Sequence, residues 1–257
     1  MGKDDMPARR FLSLLCAALW LATGPLAQAA ARAVAVKLVF AVDASDSIED
    51  WEWRLEMDGI ASALRDKEVQ AEIAALPTHA IAITLLVWGD PFGLHDSNGW
   101  RLIDSAAAAN RAASEIARWP RRVGGGTAMG EGVAASLQLL EYAPFQADRQ
   151  VIDVSGDGIE PISFFNDKVL FMADARKRAR LSGVIINGLA IDKDWQEVFA
   201  WYLEHVATGS GSFAMRVTSM RDFAPAFRLK LLRELLPEVS ERSREVRTML
   251  ATATDRP

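Results

Sequence analysis

Short apolar runs alternate along the chain with stretches in which apolar residues return every three or four positions. The runs are rich in Val, Leu, Ile and Phe, which predicts strands buried on both faces of a parallel sheet. The three-to-four spacing predicts amphipathic helices between them, and this alternation indicates an α/β fold. The predicted strands lie at 36–43, 79–88, within 149–158, at 184–191 and 212–217, with a more polar edge strand at 100–104. The predicted helices lie at 53–64, 105–119, 129–140, 167–181, 195–206 and 222–236.

Oxygen-bearing side chains follow the first strand directly. Asp43 lies at its carboxyl end, and Ser45 and Ser47 alternate with other residues after it. Residues two apart in an extended segment point the same way, so one carboxylate and two hydroxyls converge on a site that suits Mg²⁺ or Mn²⁺. Open α/β sheets bind ligands at this edge. Two simpler interpretations stand beside this one: Ser47 caps the next helix in a capping box completed by Asp50, and Asp43 is an ordinary turn residue.

Two later stretches supply further oxygen donors. Thr127 follows three consecutive glycines, Gly124–Gly126, at the start of a predicted helix, where it either faces a ligand or caps that helix. The loop lacks the Gly-Lys-Ser/Thr ending of a phosphate-binding loop. Asp157 is delivered to a glycine-flanked turn at the end of a buried-strand pattern. Asp153 lies inside the same apolar run, where we expect an interior hydrogen bond and assign no functional role.

The two ends of the chain differ in composition from the rest. Arg9 and Arg10 precede an apolar segment, and Ala27-Gln28-Ala29 has the small-x-small pattern of a signal peptidase site, so residues 1–29 are predicted to be a signal peptide. The alternative is a retained membrane anchor, although the apolar segment is too short to span a bilayer. Cys16, the single cysteine, lies in this segment. Residues 237–257 are charged, which predicts a loosely attached helix or a disordered tail.

Charge and composition narrow the class of protein. The formal net charge of −5 argues against a nucleic-acid partner, which requires clustered basic residues. A mature chain of about 200 residues is long enough to bury its own core without disulfides. The histidines His79, His95 and His205 have no recognisable relation to Ser155, which itself lacks the preceding glycine of a nucleophile elbow. We therefore predict no catalytic residue and no enzymatic activity.

The oxygen-bearing residues together resemble a known site. Asp43-x-Ser45-x-Ser47, a threonine in a glycine-rich loop and Asp157-Gly158 after a later strand are similar to the metal-ion-dependent adhesion site (MIDAS) of the von Willebrand factor A-like domain. The resemblance covers residues 34–236. Four segments more narrowly resemble a secreted bacterial branch of that superfamily, which is described as a domain of unknown function. They are 41–45, 151–158, 186–189 and 209–213.

The resemblance implies both a fold and a set of metal ligands. The fold is a doubly wound, mostly parallel six-stranded sheet with helices on both faces, which is a Rossmann-like α/β architecture. Ser45 and Ser47 would bind the cation directly, and Thr127, Asp43 and Asp157 directly or through water. Mg²⁺ is favoured, with Mn²⁺ or Ca²⁺ as alternatives.

The function that the resemblance implies is binding. Neutral hydroxyl ligands leave a cation under-neutralised, so it can accept an Asp or Glu carboxylate from an unknown partner protein. We expect the domain to be exported, periplasmic or extracellular, without stable membrane insertion after signal cleavage. The alternatives are a metal-free scaffold and a metal-dependent hydrolase or phosphatase, since Asp43 resembles the nucleophile of haloacid dehalogenase-like phosphatases although Ser45 stands where their second acid is needed.

One residue departs from the family pattern. The family usually has glycine between the two serines, and this chain has Asp46. The additional carboxylate at the rim either raises the affinity for a cation or lowers the attraction of that cation for an acidic partner.

Overall fold

The computed structural model describes residues 31–91, 95–161, 169–192 and 197–236. The described residues from Arg32 onward belong to one compact unit. The predicted signal peptide at 1–29 and the predicted charged tail at 237–257 lie outside the described residues.

Five parallel strands, four of them seven or eight residues long, make up most of the main sheet. Within the described residues the strands are β1 (Arg32–Ala33), β2 (Val36–Asp43), β3 (Ile81–Trp88), β4 (Asp96–Ser97), β5 (Arg101–Ile103), β6 (Phe145–Gln146), β7 (Arg149–Gly156), β8 (Ile185–Ile191) and β9 (Ala214–Val217). The main sheet has the order β4-β3-β2-β7-β8-β9, and β5 also pairs with β3. Only the β3 pairings with β4 and β5 are antiparallel in this sheet, and β1 pairs with β6 separately.

Helices cover both faces of the sheet. They are α1 (Asp50–Arg65), α2 (Lys67–Ala75), α3 (Ala106–Ile116), α4 (Met129–Glu141), α5 (Met172–Leu181), α6 (Val198–Trp201) and α7 (Phe223–Leu235). A π-helical turn, Tyr202–Val206, continues α6, and a 3₁₀ turn, Met220–Asp222, leads into α7. Helices α1, α2, α3 and α7 share one core, and α4, α5 and the 198–206 segment share the other. None of the helices in the described ranges is long and apolar enough to cross a membrane.

The sequence of the central strand β2 is almost continuously apolar because both faces of the strand are covered by helices. Leu38 and Phe40 point into the core under α1 and α7, whereas Val39 and Ala41 point into the core under α4 and α5. All eight residues of β2 are buried. A strand covered on both faces needs apolar side chains at both phases of its alternation. The Phe40 ring meets the Phe227 ring of α7 edge-on, with centroids 5.3 Å apart.

The expected mostly parallel, doubly wound α/β architecture is confirmed, and some of its elements differ from the predicted ones. The main sheet has seven strands rather than six, because the two-residue strand β4 pairs with β3 and is too short and polar to leave a hydrophobic pattern. Helix α2 was not expected, since only Val69 and Ile73 of its nine residues are buried. Its start is fixed by Asp66, whose side chain accepts hydrogen bonds from two backbone N–H groups of the first turn.

Several boundaries also shift from the predicted ones. The strand expected from His79 begins at Ile81, because His79 has a positive φ of 52° and belongs to the preceding turn. The helices expected from 167 and 195 are seen from Met172 and Val198, and their predicted first residues lie outside the described ranges.

Candidate metal centre

The predicted site lies where the carboxyl ends of β2 and β7 meet. These strands are adjacent and parallel, so their ends share one edge of the sheet. The chain leaves β2 to build β3 on one side and later returns to place β7 on the other. This reversal of direction creates the crevice in which open α/β sheets bind ligands. Asp43 is the last residue of β2, and Asp157 directly follows β7.

A chain of hydrogen bonds joins four of the five predicted residues. The buried Asp43 carboxylate accepts a bond from the backbone N–H of Ser45 through Oδ1, at 2.8 Å. The hydroxyls of Ser45 and Ser47 are hydrogen-bonded at 3.1 Å. Ser47 Oγ in turn donates to Asp157 Oδ1 at 2.6 Å, which connects residues 110 positions apart in the sequence. The two loops therefore present their polar groups to one another.

Thr127 reaches the same edge by a different contact. A Cβ placed on Gly158 would lie 3.2 Å from Thr127 Oγ1 and 2.9 Å from its Cγ2. Thr127 therefore packs against the backbone directly after Asp157, and a side chain at Gly158 would displace it. Within the described residues no hydrogen bond joins its hydroxyl to the other four residues, so Thr127 is brought beside the cluster without being bonded into it.

The helix-cap interpretations of the two outer hydroxyls are wrong. Helix α1 begins after Glu49, whose backbone N–H donates to Glu52 at 2.9 Å, so Ser47 and Asp50 do not form its capping box. The residue before α4 is Ala128, and Thr127 therefore precedes the cap position. Neither hydroxyl is engaged in holding a helix end.

Asp46 fastens the glycine-rich loop to the loop after β2. Its Oδ1 accepts from the backbone N–H of Gly125 at 2.8 Å, and its own N–H donates to the Gly125 carbonyl at 2.9 Å. Gly125 has a φ of 86°, and a Cβ there would lie 2.7 Å from Cβ of Asp90. The rim carboxylate expected from the sequence thus also has a structural contact, which the sequence did not reveal.

Arg121 hydrogen-bonds to the backbone of the loop that follows β2. One of its nitrogens donates to the carbonyls of Ala44 and Ser45, at 3.1 and 2.8 Å. Another pairs with Asp50 at 3.2 Å. The guanidinium thereby fixes the main chain between the first two predicted ligands. Sequence reasoning gave Arg121 no role, because no local pattern relates it to carbonyls more than seventy positions earlier.

Burial dominates the electrostatics of Asp43. The pKa of Asp43 is raised to about 7, chiefly because the carboxyl is removed from water; the nearby Asp157 also raises it, while the Ser45 hydrogen bonds and the charge of Arg121 lower it. Its second oxygen, Oδ2, is buried and has no hydrogen-bond partner within the described part of the chain. A buried, incompletely satisfied carboxylate is costly, and a cation at the site would reduce that cost.

The available donors fit a hard divalent cation. In the described ranges no group of three or more His, Cys, Asp and Glu side chains could hold a metal ion. A cation at this edge would therefore depend on the hydroxyls as well as on the two carboxylates. Oxygen donors alone suit Mg²⁺, Mn²⁺ or Ca²⁺ better than metals that prefer sulfur or imidazole.

The three histidines lie elsewhere in the fold. His79 is exposed, and its Nδ1 lies 2.6 Å from the carbonyl of Ala74. His205 packs on Trp201, with ring centroids 5.3 Å apart. Burial lowers the pKa of His95, which lines a groove between β4 and α4. None of the three hydrogen-bonds to the five predicted residues within the described part of the chain.

Two solved structures with a similar fold are of pilus proteins. The pilus adhesin SpaC from Lactobacillus rhamnosus GG matches with a TM-score of 0.56 and 14% identity over 79% of this chain, which spans only 30% of SpaC. The von Willebrand factor domain of the type V pili tip protein Mfa5 from Porphyromonas gingivalis matches with a TM-score of 0.53 and 12% identity, over 81% of this chain and 99% of that one.

A third similar structure carries a metal. Proximal thread matrix protein 1 from the mussel byssus, with a zinc-occupied MIDAS motif, matches with a TM-score of 0.51 and 16% identity over 77% of this chain and 46% of its own. At these identities the matches establish the fold alone. No curated protein matches the chain significantly.

A family model matches most of the described domain. The model is that of the family described as "Protein of unknown function (DUF1194)", and it matches residues 33–239. The chain therefore belongs to the DUF1194 family, and its fold is that of the von Willebrand factor A-like domain.

Proposed function

We propose that the protein binds another protein by capturing an acidic group through a divalent cation. The residues proposed to surround the cation are Asp43, Ser45, Ser47, Thr127 and Asp157. The observation that carries the proposal is the chain of hydrogen bonds that runs from Asp43 through both serines to Asp157. Since these hydroxyls and carboxylates already face one another at the ligand-binding edge, little rearrangement is needed to direct them toward one ion.

The chemistry of these ligands explains why the site would bind rather than catalyse. Neutral hydroxyls leave most of the charge of a bound cation available for an incoming carboxylate. Asp43 contributes negative charge from a completely buried position, where a partner cannot touch it. Ser155, the remaining hydroxyl at the end of β7, has no hydrogen-bond partner within the described residues, so no base is placed to activate it.

The choice of cation is part of the proposal. Mg²⁺ is favoured, with Mn²⁺ or Ca²⁺ as alternatives, because the donor set consists of oxygens. The zinc in the MIDAS of the mussel protein supports a divalent ion at this position of the fold. It does not favour zinc here, since zinc in proteins is usually held by nitrogen and sulfur ligands.

Two exposed apolar side chains extend the proposed binding surface. Trp51, in the first turn of α1, is 53% exposed, and Ile159, two residues after Asp157, is 38% exposed. The indole N–H of Trp51 donates to Glu49 at 2.6 Å, which fixes the orientation of the ring. Exposed aromatic anchors are typical of interface hot spots. We therefore propose that the partner offers an apolar side chain close to its Asp or Glu.

The proposed setting is outside the cytoplasm. The signal-like segment at 1–29 supports export, and the similar structures from pili support a role at a cell surface or in the periplasm. The proposed cell-surface role is binding without catalysis.

A displayed library of random peptides tests this function. Immobilised protein selects peptides in millimolar Mg²⁺, and a chelator then elutes those that depend on the cation. We expect the eluted peptides to be enriched in Asp and Glu with an apolar neighbour. Ser45→Ala should recover none of them. Ser114→Ala is the matched control, because its hydroxyl bonds only within and beside α3.

Two results would contradict the proposal. One is an eluted population with no excess of acidic residues. The other is recovery of the same acidic peptides by the Ser45→Ala protein.

A further inference from the structure

Tyr202 lies buried beneath the candidate metal centre, in a slot made by two glycines. It is the first residue of the π-helical turn that continues α6, and its side chain is completely buried. A Cβ on Gly188 of β8 would lie 2.6 Å from Cδ1 of the Tyr202 ring. The neighbouring strand β7 contributes Gly156 next to the tyrosine hydroxyl. Both strands thus lack a side chain where the ring lies against them.

The slot directs the tyrosine hydroxyl toward Asp43. A Cβ on Gly156 would lie 2.8 Å from Asp43 Oδ2 and 3.0 Å from Tyr202 Oη. Both oxygens therefore face the same small space above Gly156. Any larger residue at position 156 would come between them.

Neither oxygen has a hydrogen-bond partner within the described residues. Asp43 Oδ2 and Tyr202 Oη are both buried and unsatisfied. Buried polar atoms are normally hydrogen-bonded, and exceptions occur where a group serves a function or a water is bound. Two unsatisfied oxygens that share one polar space are most simply satisfied by each other, directly or through one water. With a cation bound, Asp43 is ionised and only accepts, so the phenol is the donor.

We propose that Tyr202 is a positioning residue for the metal centre: its hydroxyl donates to Oδ2 of Asp43 and holds that carboxylate facing Ser45 when a cation is bound. This inference rests on the proposed metal binding. A hydrogen bond to a metal-binding carboxylate fixes its orientation and commonly changes metal affinity by tenfold or more. The tyrosine would act through Asp43 and would not touch the ion.

Tyr202→Phe removes the hydroxyl and keeps the ring in its slot. Calorimetric titration of this variant with Mn²⁺ should give a dissociation constant about tenfold larger than that of wild type. The melting temperature in chelator should be unchanged or higher, because an unsatisfied buried hydroxyl has been removed. The matched control is Tyr142→Phe, since Tyr142 is the other tyrosine of the chain and is 79% exposed. Its Mn²⁺ affinity should equal that of wild type.

A spectroscopic signature separates positioning from simple packing. In Tyr142→Phe protein labelled with ¹³C at tyrosine Cζ, Tyr202 gives the only tyrosine signal. Addition of Mg²⁺ should shift that signal as the hydrogen bond to Asp43 tightens. The shift should be absent when Asp43→Ala is added to the same protein. Gly156→Ala should also weaken Mn²⁺ binding while keeping both oxygens, because its methyl group would separate them.

The outcomes distinguish the two proposals. If wild type binds no Mn²⁺, the proposed function fails and the role of Tyr202 fails with it. If wild type binds Mn²⁺ and Tyr202→Phe binds it equally well, only the role of Tyr202 is overturned. An unchanged ¹³C signal on addition of saturating Mg²⁺ would overturn that role as well.

Discussion

Strand β7 places one carboxylate in a buried ion pair and another at the ligand-binding edge of the sheet. Asp153 lies in the middle of the strand and is buried under α7, where it pairs with the buried ammonium of Lys230. Asp157 follows the strand and accepts from Ser47 at the ligand-binding edge, next to Asp43. Asp43 makes no ion pair with any described residue. The first region carries its own cation, whereas the second gathers oxygen donors that we propose bind a cation from solution.

The internal region is a closed ionic cluster. Lys230 Nζ also donates to Glu234 at 2.6 Å, and Asn187 Nδ2 donates to the same carboxylate at 2.8 Å. Asn187 accepts in turn from the backbone N–H of Phe213 at 3.1 Å. Two carboxyl groups therefore share one ammonium in a buried space. The pKa of Asp153 is raised to about 7, chiefly by burial and also by the charge of Glu234, while Lys230 opposes both.

The presence or absence of an internal cation distinguishes structural carboxylates from candidate ligand-binding carboxylates in this fold. Removal of a charge from a closed cluster leaves its partners buried and unpaired, which weakens the fold. Removal of a charge from a cluster that lacks an internal cation should weaken ligand binding and spare the fold. The following experiments test this contrast.

Lys230→Met should give the largest effect. It leaves Asp153 and Glu234 buried without their cation, and breaking a buried ion pair typically costs about 3–5 kcal/mol. Urea denaturation in chelator measures the loss. Asp43→Ala, under the same conditions, should change the free energy of unfolding far less. Lys177→Met, at an exposed position of α5, is the matched control and should be close to neutral. Equal losses for Lys230→Met and Asp43→Ala would break the contrast between the two regions.

The pH dependence of stability should report the internal cluster. Because the pKa of Asp153 is raised to about 7 in the folded protein, the folded state keeps a proton that the unfolded chain releases near pH 4. The free energy of unfolding should therefore fall as the pH rises from about 4 to 7, by at most about 1.4 kcal/mol per pH unit from this group. Below that window and above pH 7 its contribution should be constant.

The comparison of wild type with Asp153→Asn isolates this contribution. Both proteins are unfolded by urea at several pH values in chelator. The stability of wild type should decline relative to the variant across the window. A difference that stays constant, or that grows in favour of wild type as the pH rises, would show that Asp153 is ionised throughout.

Asp46 should give the smallest effects. Asp46→Asn keeps an acceptor for Gly125 and removes the rim charge, so an acidic peptide should bind about two- to threefold more tightly, as expected for charges screened by solvent. Asp46→Gly restores the usual family residue and also removes the charge, but it releases the glycine-rich loop. We expect its gain to be smaller than that of Asp46→Asn. Surface plasmon resonance with a peptide from the library selection measures both, and weaker binding by Asp46→Asn would contradict the repulsion.

The apolar patterns predicted the fold well where strands are buried on both faces. The run at 36–43 and the periodic helices around Trp53 and Met129 all appear in the structure. The strand β4 and helix α2 were missed, because Asp96–Ser97 and Lys67–Ala75 bury too few apolar side chains to leave a pattern. The local hydrophobic pattern reflects burial, so elements that bury few side chains have only a weak pattern.

The sequence indicated the residues of the candidate site but not their supports. Asp43, Ser45 and Ser47 form a recognisable local motif, and strand order brings Asp157 to them. Contacts made by tertiary packing alone leave no such motif. The partner of Asp153 lies on α7, more than seventy residues later, and the tyrosine beneath Asp43 lies on a π-helical turn. These relations depend on how the layers pack.

The most direct test of the central claim is a Mn²⁺ titration followed by electron paramagnetic resonance, which measures bound and free ion without any partner. We predict one Mn²⁺ site per chain in wild type, displaced by excess Mg²⁺ and lost in Asp43→Ala. Asp148→Ala should keep the site, because Asp148 is exposed before the start of β7, at the opposite edge of the sheet. The absence of a Mn²⁺ site in wild type, or its retention in Asp43→Ala, would contradict the account.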